Sequence, residues 1–478
     1  MEKKYKVLIR RCAEYDAQKI KGIIEEGMEE LGVFPSGNVL IKPNVVISHP
    51  EVFPYAFTRK EFLEGVIMAV KGRDRGIEKL SVGERSGITI PTRYNFKNAG
   101  YTEVLKRHGV KAHYFDEVPQ VPVSIKGDKT LRDHLHMPKP ISECDFLINL
   151  PKFKAHPWCR LTLSLKNLIG IQDDRHRLVD HNLFLEHKIA DLQAVIQPKF
   201  IAIDGITAGQ KMMLTPTPFD MGAVIMGTNS CAVDTVGCHM VHLDPCDLIH
   251  LRFASERGFG PMEIAKIEVG GDFPLAEVQE RTRSFQFCME RIDDYFGREG
   301  KLTCTVGTFP EAHSPKYCWG GCPGALQEAM HIMRGFFPNA DREIKKIRYV
   351  VGKVEGPLNL DKDERVIFAG DCTSWEGIID GKPVKIESTY RSFGEVNQDG
   401  TPSNDMLLKT FQSLWTCFNG RKSTYIHARG CPLSVADHVN YLAFLGDMPN
   451  PNFDPRLLFP VTAAYWQMRF KRLWNRWA

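Results

Sequence analysis

Phe146-Leu-Ile-Asn-Leu150 runs straight into Pro151-Lys152-Phe-Lys154-Ala-His156, so a short apolar segment ends on a cluster of bases. Four apolar residues out of five, followed by proline, predict a strand buried on both faces. The junction recurs through the first ~285 residues. Lys6–Arg10, Val39–Ile41, Lys79–Val82, Phe200–Ile203 and Ala223–Met226 read as further strands. Several break into polar sequence in the same way: Ile41-Lys42-Pro43-Asn44, Val82-Gly83-Glu84-Arg85-Ser86 and Ile203-Asp204-Gly205. Helical stretches such as Arg59–Lys71 and Thr102–His108 lie between them. Alternation of this kind predicts an α/β domain with a mostly parallel sheet, whose ligands gather at the carboxyl ends of the strands.

The polar residues at those ends form the first candidate site. Lys42, Lys152, Lys154 and Lys166 near His156 would attract an anion such as a carboxylate, a phosphate or an anionic cofactor. Lys152 and Lys166 are candidate catalytic groups, because a buried lysine can act as base or nucleophile, and His156 is the candidate proton carrier. Lys42, Asn44, Glu84, Ser86, Lys154, Asn167, Asp204 and Asp234 are candidate binding residues, with Glu84, Asp204 and Asp234 able to orient a base or ligate a metal. Taken singly, each has a plain reading as turn chemistry, a solvated lysine or a structural histidine. Their common position at strand ends is what lifts the set. A weaker cluster, Asp173-Asp174-Arg-His176-Arg-Leu-Val-Asp180-His181 with His187 and Asp191, could hold a second metal but reads more simply as a loop and helix start.

The second candidate site is cysteine. Cys318-Trp-Gly-Gly-Cys322-Pro, Gly-Asp-Cys372 and Arg-Gly-Cys431-Pro each carry glycine close before a cysteine. Iron–sulfur centres take four thiolates and nearby backbone N–H groups, and glycine lets the backbone approach. Cys318, Cys322, Cys372 and Cys431 are therefore the expected ligands of one [4Fe–4S] cluster. Cys304 and Cys417 are the rivals, and zinc is the metal alternative, although zinc favours two close pairs.

A 478-residue chain exceeds one ordinary core. The organisation expected is an α/β domain over 1–285, a charged connector at 286–300, a smaller cysteine-bearing α/β domain over 301–450 and a tail over 451–478. The second domain's strands are expected near Thr303–Thr308, Ile347–Val351 and Arg365–Phe368, with a helix after Pro323 and another from Ser434. In the tail, Trp466, Phe470, Trp474 and Trp477 alternate with Arg469, Lys471, Arg472 and Arg476, a pattern for a membrane surface or a partner protein as well as for packing on its own domain. Charge is nearly balanced, 62 basic against 58 acidic residues, which gives no general argument for nucleic acid. The first residues lack the apolar core of a signal peptide, and no run approaches the ~20 apolar residues of a membrane span. Thirteen cysteines without a secretory signal point to reduced thiols and a cytoplasmic setting. Dinucleotide-binding, P-loop and nucleophile-elbow motifs are missing, so nicotinamide, NTPase and hydrolase readings lose their support.

Ile41-Lys42-Pro43-Asn44, Asn149-Leu-Pro-Lys152-x-Lys154-x-His156, Thr162-Leu-Ser-Leu-Lys166-Asn167-Leu-Ile-Gly170, Asp204-Gly205 and Ala232-Val-Asp234 together resemble the family known as domain of unknown function 362. The resemblance spans most of the first ~285 residues, and the family often occurs beside iron–sulfur modules. More distantly, the layout looks like the N-terminal domain of nickel-pincer lactate racemase, which implies an anionic substrate or cofactor held by Lys and His. Residues ~300–445 are similar to the cluster domain of nickel–iron hydrogenase small subunits and of the matching complex I subunit, which implies a flavodoxin-like fold around one [4Fe–4S] cluster. Here the first pair is spaced Cys-x3-Cys, wider than in those families, and one proline follows Cys431 where two are common. The function expected is an iron–sulfur oxidoreductase or electron-transfer component acting on an anionic small molecule, with a redox protein as partner. The alternatives are a metal- or cofactor-dependent isomerase or lyase of a hydroxy or carboxylic acid with a structural cluster, and a metal or cluster assembly factor.

Overall fold

The computed structural model describes residues 5–477 apart from 50–51, 53, 74–75, 88–89, 128–129, 178–183, 289–290, 298–299, 311–314, 391–414 and 416–423. The chain separates into two compact units, Met1–Cys288 with Pro460–Ala478, and Met289–Phe459.

The first unit is built on an eleven-stranded sheet. Its main path uses β1 (Tyr5–Arg11), β2 (Gly37–Pro43), β3 (Ile77–Glu84), β4 (Lys111–Tyr114), β7 (Phe146–Leu150), β10 (Phe200–Gln210), β12 (Ala223–Gly227) and β13 (Ile267–Gly270). β5 (Gln120–Ser124) and β6 (His134–Pro138) form a separate ribbon, and β8 (Lys152–His156), β9 (Arg160–Thr162) and β11 (Thr217–Phe219) extend the sheet off its path. The order is β13-β1-β12-β10-β7-β2-β3-β4. The run β10-β7-β2-β3-β4 is parallel, as the alternating pattern predicts. β12 departs from it, lying antiparallel to both β1 and β10. The turn at Phe219–Gly222 returns the chain directly beside β10, so β12 needs no crossover helix.

Every residue of β7 is buried, which is why its sequence is apolar without alternation. The helices Ala17–Glu30 and Lys60–Gly72 pack on each other beside this sheet. Asp16 caps the first by accepting the N–H groups of Gln18 and Lys19. The two approach closely at Gly65, where a methyl would lie 2.6 Å from Ile20 Cγ2. What positions the site is the bend at Pro151. β7 stops there, and β8 continues alongside β10 with Lys152 opposite Asp204.

The second unit has a five-stranded sheet: β14 (Leu302–Val306), β15 (Ile347–Lys353), β16 (Arg365–Ile379), β17 (Lys382–Ile386) and β18 (Tyr425–Ala428). β14, β15, β16 and β18 are parallel, and β17 turns back on β16. The helices Cys322–Phe336 and Val435–Leu445 supply Leu326, Met330, Met333, Val439 and Leu442 to its core. Residues Ile292–Phe296, inside the expected connector, form a short helix.

The chain ends in the helix Pro455–Trp477. Ala464, Tyr465 and Met468 are buried, while Arg472 Nε and Asn475 Nδ2 donate to the carbonyls of Asp116 and Glu117. This inner face fastens the end of the expected tail to the first unit. Among the described residues no helix is long and apolar enough to cross a membrane.

Candidate functional site

The strand ends bring two buried ion pairs together. Lys42, at the end of β2, lies beside Asn149 of β7, and its Nζ is 2.7 Å from Glu84 Oε2 at the end of β3. Burial pushes the lysine down and the carboxyl up, each opposed by the other's charge. Glu84 Oε1 accepts the N–H of Arg85, and Gly170 closes over the pair: a methyl there would stand 2.0 Å from Glu84 Oε1.

The second pair is Lys152 and Asp204, 3.0 Å apart and both fully buried. Tyr15, ahead of the first helix, completes it. Its hydroxyl donates to Asp204 Oδ1 and accepts from Lys152 Nζ, both at 2.8 Å, while the Arg59 N–H donates to Asp204 Oδ2 at 3.0 Å. Burial raises the Tyr15 hydroxyl pKa well above its ordinary value, and the Asp204 charge adds to the shift.

Between the pairs runs an amide ladder. Asn44 Nδ2 donates to Asn167 Oδ1 (2.9 Å), Asn167 Nδ2 to Asn149 Oδ1 (2.7 Å), and Asn149 Nδ2 to Ser164 Oγ (3.0 Å), which meets Ser230 Oγ at 2.9 Å. Asp234 accepts the N–H groups of Ser164 and Leu165 and so anchors the turn carrying Lys166 and Asn167. Burial pushes its carboxyl up to about 8 against those two bonds.

The remaining candidates divide by their partners. Lys154 Nζ donates to the carbonyls of Ala56 and Met213 at 2.7 and 3.1 Å. His156 Nδ1 accepts the N–H groups of Trp158 and Cys159, each at 3.2 Å, which places the ring proton on Nε2. Ser86 is buried with its Oγ unpaired, as is Asn44 Oδ1. Lys166 makes no hydrogen bond or ion pair among the described residues; burial lowers its pKa. Buried polar atoms without partners among the described residues are a feature expected where a ligand binds.

Sequence reasoning did not single out Tyr15 or Arg59, which reach the site from loops without a strand-end signature. Of the weaker cluster, His176 meets His136 of β6 at 3.0 Å, while Asp180 and His181 lie outside the described residues.

The marked cysteines all lie in the second unit. Cys318 and Cys322 flank the break between the helices Pro315–Gly320 and Cys322–Phe336. Cys372 lies in β16 where its register to β15 shifts, and Cys431 follows β18. Asp371 ties these last two stretches, its N–H donating to Gly430 O and its Oδ1 accepting the Gly430 N–H. Cys322 Sγ accepts the Leu433 N–H at 3.3 Å. Burial raises all four thiols, Cys318 and Cys431 to about 12, and the neighbouring cysteines raise Cys318, Cys322 and Cys431 further. Cys304 packs on the core opposite Tyr349, and Cys417 lies outside the described residues. Among the described residues no three His, Cys, Asp or Glu side chains close on a single metal-ion position. Four sulfurs around one zinc would stand only about 3.8 Å apart.

Comparison with known proteins now separates the two sites. Residues 39–239 match the family described as "Domain of unknown function (DUF362)". This segment is similar to that family. It contains every strand-end residue named above except Tyr15, and stops short of the cysteine unit. The chain is 24% identical over 276 residues to a thylakoid-associated protein of Synechocystis, covering 53% of this chain and 80% of that one. Two solved structures are similar at low level. One is the lactate racemase apoprotein of Thermoanaerobacterium thermosaccharolyticum, 10% identical with a TM-score of 0.31 and covering 77% of this chain and 83% of that one. The other is a Thermotoga maritima protein, 11% identical with a TM-score of 0.30 and covering 73% and 74%. Similarity at that level fixes neither fold nor chemistry.

Proposed function

We propose that the protein is a cytoplasmic iron–sulfur oxidoreductase or electron-transfer component, in which Cys318, Cys322, Cys372 and Cys431 hold one [4Fe–4S] cluster and the DUF362-like domain binds a small anion. The observation carrying this reading is that the free thiols Cys322 and Cys372, from separate stretches, both border Gly370, with Cys318 and Cys431 near enough for the neighbouring thiols to raise their pKa values. The donor set suits the group: four sulfurs, a backbone N–H already on Cys322 Sγ, and Gly370 where a side chain would crowd that same sulfur. When bound, such a cluster supplies one-electron transfer. The chain's own part is to release four thiol protons, whose raised pKa values the bound iron must overcome, and to shield the sulfurs between two helices and two strand ends. Every described cysteine is a free thiol, which fits a reducing compartment. Anaerobic purification with iron, sulfide and EPR measurements tests the reading. Protein with stoichiometric zinc, or with no metal after anaerobic iron–sulfide reconstitution, would refute it.

For a partner we propose an anionic membrane surface, met by the outer face of the C-terminal helix. Trp466, Phe470, Leu473 and Trp474 share that face, with Phe470 70% and Trp474 74% exposed, and exposed Arg469 and Lys471 flank it. The name of the Synechocystis relative, thylakoid-associated, agrees with such an attachment. The protein is expected to co-sediment with vesicles containing phosphatidylserine and not with pure phosphatidylcholine, and to lose most of that binding in Phe470→Ser/Trp474→Ser. Undiminished binding by the double variant would remove the assignment.

A further inference from the structure

Two backbone N–H groups near the marked cysteines have different fates. The Leu433 N–H donates to Cys322 Sγ at 3.3 Å, which is how a thiolate site uses a nearby amide. The Gly430 N–H goes to a carboxylate instead. It donates to Asp371 Oδ1 at 2.9 Å, and the Asp371 N–H returns to Gly430 O at 3.1 Å. Asp371 immediately precedes Cys372, and Gly430 immediately precedes Cys431, so the carboxylate stands between two of the thiol-bearing stretches. It is fastened from a third stretch as well. Thr389 Oγ1 donates to Asp371 Oδ1 at 3.2 Å, while the Thr389 N–H and Ser388 Oγ donate to Asp371 O at 2.8 and 2.9 Å. Gly370 shows how near this lies to the sulfurs. A methyl built there would stand 3.1 Å from Cys322 Sγ, 3.6 Å from Gly430 O and 3.9 Å from Cys372 Sγ. The carbonyl bonded to Asp371 and two of the sulfurs therefore border one point.

None of these bonds needs a charge. An asparagine oxygen at the same place would accept from the Gly430 N–H and the Thr389 hydroxyl equally well. The carboxylate nevertheless brings one, and no ion pair balances it among the described residues: the second unit's pairs, such as Arg348 with Glu364 and Lys346 with Asp361, lie elsewhere. Arg429, beside Gly430, is exposed, where water and salt screen it.

We propose that Asp371 holds the reduction potential of the cluster low, by placing an uncompensated negative charge between Cys372 and Cys431. This rests on the reading that the four cysteines hold a [4Fe–4S] cluster, and it gives a redox role to a side chain that is not a ligand. Reduction adds an electron to a group already surrounded by four thiolates, so a neighbouring carboxylate disfavours the reduced form. Asp371 also claims the Gly430 N–H, which then gives no stabilising bond to a sulfur. Both effects act in the same direction.

The test is an EPR-monitored redox titration of the anaerobically purified full chain, with iron, sulfide and melting temperature measured on the same samples. Asp371→Asn is expected to keep the parent's iron and sulfide, because its side-chain oxygen preserves both hydrogen bonds. Its reduction equilibrium should shift about ten-fold toward the reduced form, which is about 59 mV upward for a one-electron couple. Asp371→Ala loses the bonds to Gly430 and Thr389 along with the charge, and should retain less iron. Glu376→Gln is the charge control. Glu376 is exposed on the same strand, four residues and roughly 13 Å beyond Cys372, which exceeds the Debye length at physiological salt, so its loss should leave the potential in place. If the parent takes up no cluster after anaerobic iron–sulfide reconstitution, the cluster reading fails and this inference falls with it. If the parent holds a cluster and Asp371→Asn moves its potential no more than Glu376→Gln does, only the role of Asp371 fails. An Asp371→Asn protein that loses iron as Asp371→Ala does would also overturn the proposal, since the charge would then belong to the structural tie.

Discussion

Replacing Asp204 with alanine is expected to destabilise the first unit by about 3–5 kcal/mol, the usual cost of stranding one half of a buried ion pair. At this domain size the melting temperature should fall by on the order of 10 °C. The carboxylate is fully buried and accepts from Lys152, Tyr15 and the Arg59 N–H at once. Its removal strands a charge in the interior and leaves three donors short of an acceptor. The loss has a defined pH dependence. Burial already holds Lys152 below its ordinary lysine value, and the Asp204 charge is the main influence holding it up, so the variant's lysine falls further. Between that depressed folded pKa and the ordinary value near 10.4 the unfolded chain binds more protons than the folded one, so stability rises with pH across that window. The deficit of Asp204→Ala should therefore shrink as the solution is made alkaline through the variant's lysine pKa. Lys152→Met/Asp204→Leu, which removes both charges, should recover much of the loss. An Asp204→Ala protein that melts with the parent would show that the pair is not load-sharing in the fold.

That prediction also shows how far the sequence could be read. The strand ends were legible because a strand buried on both faces must be apolar, and the first polar residue after it marks the sheet's edge. Lys42, Asn149, Lys152 and Asp204 all stand at or just beyond such apolar runs. Pairing was not legible, because it is a matter of register between distant segments. Lys42 and Glu84 are both candidate binding residues, and the 2.7 Å contact between them could not be read from either segment alone. Tyr15 completes the second pair across 189 residues of chain from Asp204, and nothing in its loop distinguishes it from any surface tyrosine. β12 turned antiparallel because a short turn decides strand direction, and its apolar sequence suits either direction. The cysteines were legible in composition, with glycine near each, while the placement of the Cys372 and Cys431 stretches depends on the β16 register shift and on Asp371 bridging to Gly430.

Gly370→Ala is expected to cut iron retention several-fold without removing a ligand. Gly370 has φ +91°, a conformation costly for any residue with a side chain. The added methyl would stand 3.1 Å from Cys322 Sγ and 3.9 Å from Cys372 Sγ. Cys322 Sγ must give way, and a cluster held by four thiolates would tolerate displacement of a ligand poorly, because the lost bond would also be part of the unit's folding energy. Anaerobically purified Gly370→Ala should carry several-fold less iron and sulfide than the parent and lose its visible absorption, as Cys372→Ala should. Cys304→Ala is the control. It shortens a thiol that packs on the core opposite Tyr349, so it should cost some stability and leave the iron in place. The opposite pattern, with iron kept in Gly370→Ala and lost in Cys304→Ala, would move the ligand set to the β14 thiol and away from the glycine-lined loop.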